Sequence, residues 1–176
     1  GELWPVTGDD SAAKLDGVIE ELGPGRIVLL GDAVHAPNPG EDERNEIEQA
    51  MQRWKSRAEL IVVRGNHDRA FAVDFVGLAI PAVESWQGPG FLAIHGDKPL
   101  AFAPRDCRFV LGHLHPAISV DDAAGVAHKL PVFLVGARTV VLPAFSTLAS
   151  GANLWRGIPE ELVRLEGSTD FQAIAT

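Results

Sequence analysis

Five of the six histidines fall in four short turns, three of which also carry carboxylate or carboxamide side chains. The turns are Gly31-Asp32-Ala33-Val34-His35, Gly65-Asn66-His67-Asp68, His95-Gly96-Asp97 and Gly112-His113-Leu114-His115. Imidazole nitrogen combined with carboxylate and carboxamide oxygen, and no thiolate, suits borderline divalent ions such as Mn, Fe, Zn or Co. The Gly-His-x-His spacing needs a strand-like turn in which residues i and i+2 address neighbouring sites. The glycines let the backbone come close to ions and substrate. Taken singly, the first three turns have structural explanations, whereas Gly112-His113-Leu114-His115 is by itself a metal signal. Asp32 is a cap, residues 65–68 form a polar turn, and His95 is a hydrogen-bonded strand-end residue. Together they point to metal chemistry. His128, in Ala127-His128-Lys129, lacks such a context and reads as a surface residue.

Short apolar runs position these turns. Leu15, Val18, Ile19 and Leu22 repeat at helical spacing after the caps Asp10 and Ser11, and Gly23-Pro24 stops that helix. Residues 26–30 form a branched apolar run that reads as a buried strand ending at Gly31-Asp32. Ile47, Ala50, Met51, Trp54 and Ala58 predict a helix over 43–57, with the acidic stretch Glu41–Glu48 as its start and solvated face. Residues 60–63 predict a second buried strand. Further strands are expected at 91–94, 109–111, 132–135, 140–142 and 162–165. The α-β-α-β start and the strand-rich second half suggest two packed sheets flanked by helices. Each of the four turns then follows a strand, where functional groups gather in α/β sheets.

A length of 176 residues fits one domain, taken as residues 1–176. A net charge of −9 argues against a broad basic face for nucleic acid or anionic membrane, though a local metal centre still attracts phosphate. No apolar run is long enough to span a bilayer, and no signal peptide opens the chain. The single cysteine, Cys107, excludes an internal disulfide and fits a reducing, cytoplasmic compartment as a small buried apolar residue. Trp4, Trp86 and Trp155 read as satellite-core residues.

With these residues in view, the sequence resembles the calcineurin-like metallophosphoesterases. That family's ordered motifs are Asp-x-His, Gly-Asp-x-x, Gly-Asn-His-Asp/Glu, a His-containing turn and Gly-His-x-His. Four of the five stand here across residues 31–115. Leu130-Pro131-Val132-Phe133, Leu142-Pro143-Ala144-Phe145-Ser146 and Gly151 are similar to the small subgroup that includes the ligase-associated DNA-damage-response endonucleases, which brings DNA repair into view. The resemblance implies an α/β/β/α sandwich and a site for two divalent ions, Mn²⁺ first, with Fe, Zn or Co as alternatives. Asp32 would bridge both ions. Asn66, His95 and His113 would complete one site and His115 would serve the other. His67 would protonate the leaving group or steady the transition state, with Asp68 orienting its ring. The implied activity is phosphodiester hydrolysis of a nucleic acid or nucleotide by a metal-bound hydroxide.

The first motif, Asp-x-His, is absent, because no Asp lies two residues before any His. The chain begins at Gly1, directly before what resembles the family's first helix, so the strand carrying that motif is expected upstream. Without it the second ion has only Asp32 and His115. Two rivals follow: a non-catalytic metal-binding scaffold that recruits a partner, and a metal-free structural domain.

Overall fold

The computed structural model describes residues 9–34, 40–68, 71, 75–98, 104, 106–146, 149, 151–153 and 157–175. His35, Trp4 and Trp155 lie outside the described residues. The described residues open with helix α1, Asp9–Leu22, after which the Gly23 N–H closes on the Ile19 carbonyl. Strand β1, Arg26–Leu30, follows, and then helix α2, Glu41–Arg57. Acidic residues crowd the first turn of α2 and Lys55 and Arg57 the last, the order that suits the helix dipole. Strand β2, Glu59–Val63, runs parallel to β1, with Leu30 level with Val63. A 3-10 turn at Val76–Leu78 leads to β3, Ala82–Val83, which completes a three-stranded sheet in the order β1-β2-β3.

α1 and α2 cover one face of this sheet. Ile19, Met51 and Trp54 pack with Ile27, Leu60, Val62, Phe71 and Phe75 in one apolar cluster. The helices are pinned together because Trp54 Nε1–H donates to the Asp16 carboxylate at 2.9 Å. Residues 60–63 are all buried, so β2 is covered on both faces, as its unbroken apolar run requires.

The second sheet is mixed. Its strands are β4 (Ser85–Gly88), β5 (Phe91–Ile94), β6 (Arg108–Leu111), β7 (Pro116–Asp121), β8 (Ala127–Val135), β9 (Thr139–Val141), β10 (Ala152–Asn153) and β11 (Gln172–Ala175). The order is β10-β7-β8-β9-β6-β5-β4, with β11 paired antiparallel to β8. β5, β6 and β9 run parallel, so their C-terminal ends share one edge. Helix α3, Glu160–Glu166, covers this sheet through Leu162, which packs with Phe109, Leu134 and Val141. The result is the expected sandwich of two packed sheets with helices outside.

One expected strand is overturned. Residues 162–165 lie within α3 and not in the sheet. Pro159 caps the segment, Glu160 and Glu161 occupy its first turn, and Gly167 ends it at φ +85°. In that frame Leu162 and Leu165 fall on one helical face, three residues apart, both against the core. The buried Glu166 carboxylate then accepts the N–H groups of Ala137 and Arg138, tying α3 to the β8–β9 turn.

Candidate metal centre

The parallel strands of both sheets end at the same edge, and the four histidine-bearing turns begin there. Backbone geometry shapes them. Asp32, His113 and His115 adopt left-handed φ of +52°, +60° and +46°, although none is glycine. Such conformations cost of order 1 kcal/mol or more each and cluster at functional sites. Gly31 and Gly65 are required by close approach. A Cβ on Gly31 would enter the His95 ring, and one on Gly65 would enter the Asp32 side chain.

His95, 2% exposed, is the hub. Its Nδ1 lies 2.9 Å from the Leu30 carbonyl, an acceptor, so in the neutral ring Nδ1 carries the proton and Nε2 presents a lone pair. Around that Nε2 stand Asn66 Oδ1 at 3.1 Å, His113 Nδ1 at 3.1 Å and Asp32 Oδ2 at 3.3 Å. Neighbouring ligands about 2.0–2.2 Å from one cation stand roughly 3.0–3.5 Å apart. The ligand atoms of Asp32, His95 and His113 all lie within 4.8 Å of one another. An Asn oxygen and a carboxylate oxygen facing an unprotonated imidazole nitrogen repel unless a cation sits among them. The donor set therefore fits a divalent metal ion.

The electrostatics agree. Burial first, and then the adjacent His95 imidazole, push the His113 imidazole below its ordinary range, against the pull of Asp97 and Asp32. Near neutral pH His113 is thus in the unprotonated form that ligates. The other Asp32 oxygen accepts the His67 N–H at 3.0 Å, which holds the second turn against the first.

Asp68 is almost wholly buried. Its carboxylate accepts the Val34 N–H at 3.1 Å and the Gly65 N–H at 2.9 Å, bridging the turns after β1 and β2. Burial pushes its carboxyl above the ordinary range, the backbone N–H groups pull it back, and the nearby Asp32 charge adds to the rise. His67 is exposed at the mouth. His115 lies outside the Asp32–His95–His113 group, and its carbonyl accepts the Ala152 N–H at 2.8 Å. The structure thus brings Asp32, Asn66, His95 and His113 together around one point. His128 is far from it in kind: an exposed residue paired with Asp122 at 2.9 Å. The Leu30 carbonyl, which fixes the His95 tautomer, carries no side-chain signal and was invisible to motif reading.

No family model matches the chain, and no curated protein matches it. Among solved structures, the fold is similar to that of the Pseudomonas putida nuclease MPE, with a TM-score of 0.70 and 25% sequence identity. The match covers 86% of this chain and 72% of that one. Among the described residues no helix is long and apolar enough to cross a membrane.

Proposed function

We propose that this chain is a metal-dependent phosphodiesterase acting on nucleic acid. The observation that carries the reading is the convergence of Asp32, Asn66 and His113 on His95 Nε2. Similarity to a nuclease of the same fold and the resemblance to the calcineurin-like family, including its DNA-damage-response subgroup, support a phosphodiester substrate. Two divalent ions, Mn²⁺ first, would activate water and neutralise the charge that develops on phosphate. Asp32 would contact both ions, Asn66, His95 and His113 one, and His115 the other. His67, exposed at the mouth and tethered through its N–H to Asp32, suits proton donation to the leaving oxygen. Asp68 locks the turns that present Asp32 and His67.

The test is hydrolysis of a chromogenic phosphodiester, and of its monoester, by the purified chain with Mn²⁺ and with chelator. Chelator-sensitive diester cleavage that disappears in Asp32→Ala and His113→Ala is expected. Turnover retained in either variant would sink the mechanism.

The missing Asp-x-His favours a second reading, a metal-binding scaffold that recruits a partner. Stoichiometric Mn²⁺ binding without hydrolysis of either ester is its signature.

A further inference from the structure

One exposed aromatic residue stands at the edge where the metal centre lies. Phe145 is 45% exposed, unlike the other described phenylalanines, which are buried or half-buried. Its loop is fastened to both ends of the Leu111–His115 turn. At the near end, Leu142 N–H donates to the Leu111 carbonyl at 2.8 Å, and at the far end Ala152 N–H donates to that of His115. Gly151, at φ +67°, is pressed so close to the His115 carbonyl that a Cβ there would meet it at 2.9 Å. Phe145 therefore rides on a loop whose two anchors flank His113. Across from it, the Lys14 ammonium lies 4.6 Å from the centre of the Phe145 ring. Lys14 belongs to α1, whose Ala12 and Leu15 pack in the same apolar cluster as Ala33, the neighbour of Asp32. The pair thus links α1, which packs on the first sheet, to the segment that follows β9 in the second.

An exposed ring beside a cation matches a nucleotide in a single strand. The ring offers a stacking face for a base and the ammonium a contact for a phosphate. A charge of −9 disfavours a long backbone-tracking groove, so affinity has to come from such local contacts. We infer that Phe145 and Lys14 form the substrate-positioning rim of this site. Phe145 stacks a base of single-stranded nucleic acid next to the phosphate held at the metal centre, and Lys14 holds an adjoining phosphate. This rests on the phosphodiesterase reading above and adds that a base is required for good binding.

The experiment uses the Mn²⁺-loaded chain and two fluorescent phosphorothioate oligomers of equal length, resistant to hydrolysis. One is oligothymidylate and the other has abasic units throughout. Anisotropy titrations are expected to show about tenfold tighter binding of oligothymidylate, the scale of one stacked base. Phe145→Ala should bring the ratio to about one, and Phe145→Trp should keep it. Lys14→Ala should weaken both oligomers alike and lower the salt slope by about one. Equal wild-type affinities, a ratio unchanged in Phe145→Ala, or no binding of either oligomer would overturn the inference. Cleavage of the chromogenic diester reads the metal centre separately, so the phosphodiesterase reading can survive the loss of the rim.

Discussion

Of the His–Asp pairs His95–Asp32 and His128–Asp122, the closer is the less consequential. His128 Nε2 lies 2.9 Å from Asp122, with side-chain exposures of 56% and 42%, on the ribbon formed by β7 and β8. His95 Nε2 lies 3.3 Å from Asp32, with exposures of 2% and 17%. At the ribbon, Asp122 mainly caps a turn, accepting the Ala124 and Val126 N–H groups at 2.9 Å each, and His128 hangs from it in solvent. At the strand ends, the Leu30 carbonyl fixes the His95 proton on the far nitrogen, and two further ligand atoms, Asn66 Oδ1 and His113 Nδ1, join Asp32 at the near one. Distance does not separate a metal ligand from a surface pair. The fate of the proton and the number of convergent acceptors do.

The largest effect expected from that contrast is on metal binding. His95→Ala should lower Mn²⁺ affinity by more than about a hundredfold, beyond what loss of an outer partner costs. His128→Ala should leave it within about twofold, and titration calorimetry reads both. A common loss would put the ion elsewhere.

Glycines sharpen the same comparison. Gly31 and Gly125 both have positive φ, +84° and +78°, but a Cβ on Gly31 would enter the His95 ring and one on Gly125 would meet nothing within 4 Å. Gly31→Ala should cost about 3 kcal/mol by urea unfolding, from clash plus backbone strain. Gly125→Ala should cost only the strain, about 1 kcal/mol. Mn²⁺ at a hundred times its dissociation constant should stabilise the wild type and His128→Ala by about 2.7 kcal/mol, and His95→Ala hardly at all.

The smallest effect is one of pH. The side-chain bond from His128 and the N–H groups of Val126 and Ala124 hold the Asp122 carboxyl below its ordinary value of 3.8. A depressed carboxyl stabilises the fold above pH 3.8 and loses that contribution as pH falls through the lower folded value. The Ala124 and Val126 amide signals should therefore shift together in that acidic window, and Asp122→Asn should abolish the step. A step centred at or above 3.8 would contradict the clasp.

Much of this was legible in the sequence because strands and their turns leave local marks. The runs at 26–30 and 60–63 announced buried strands, and those strands pair in parallel. Residues 162–165 misled because a short apolar run looks the same in a buried strand and on one face of a short helix. The flanking Pro159 and Gly167 held the answer. The Asp68 carboxylate bridges the Val34 and Gly65 amides, which no motif announced. That bond joins residues 34 apart in the chain, a distance that periodicity does not report.

The sequence by itself determined the candidate donor types, their order and their places at strand ends, because side-chain chemistry and strand periodicity are local properties. It also determined that no cysteine pair would contribute. Only the tertiary structure decided which of those residues share one point, which nitrogen of His95 faces it, and that Lys14 reaches Phe145, 131 positions further along the chain. Convergence depends on the packing of two sheets and on carbonyls such as that of Leu30, and backbone acceptors are the same in every sequence until the fold aims them.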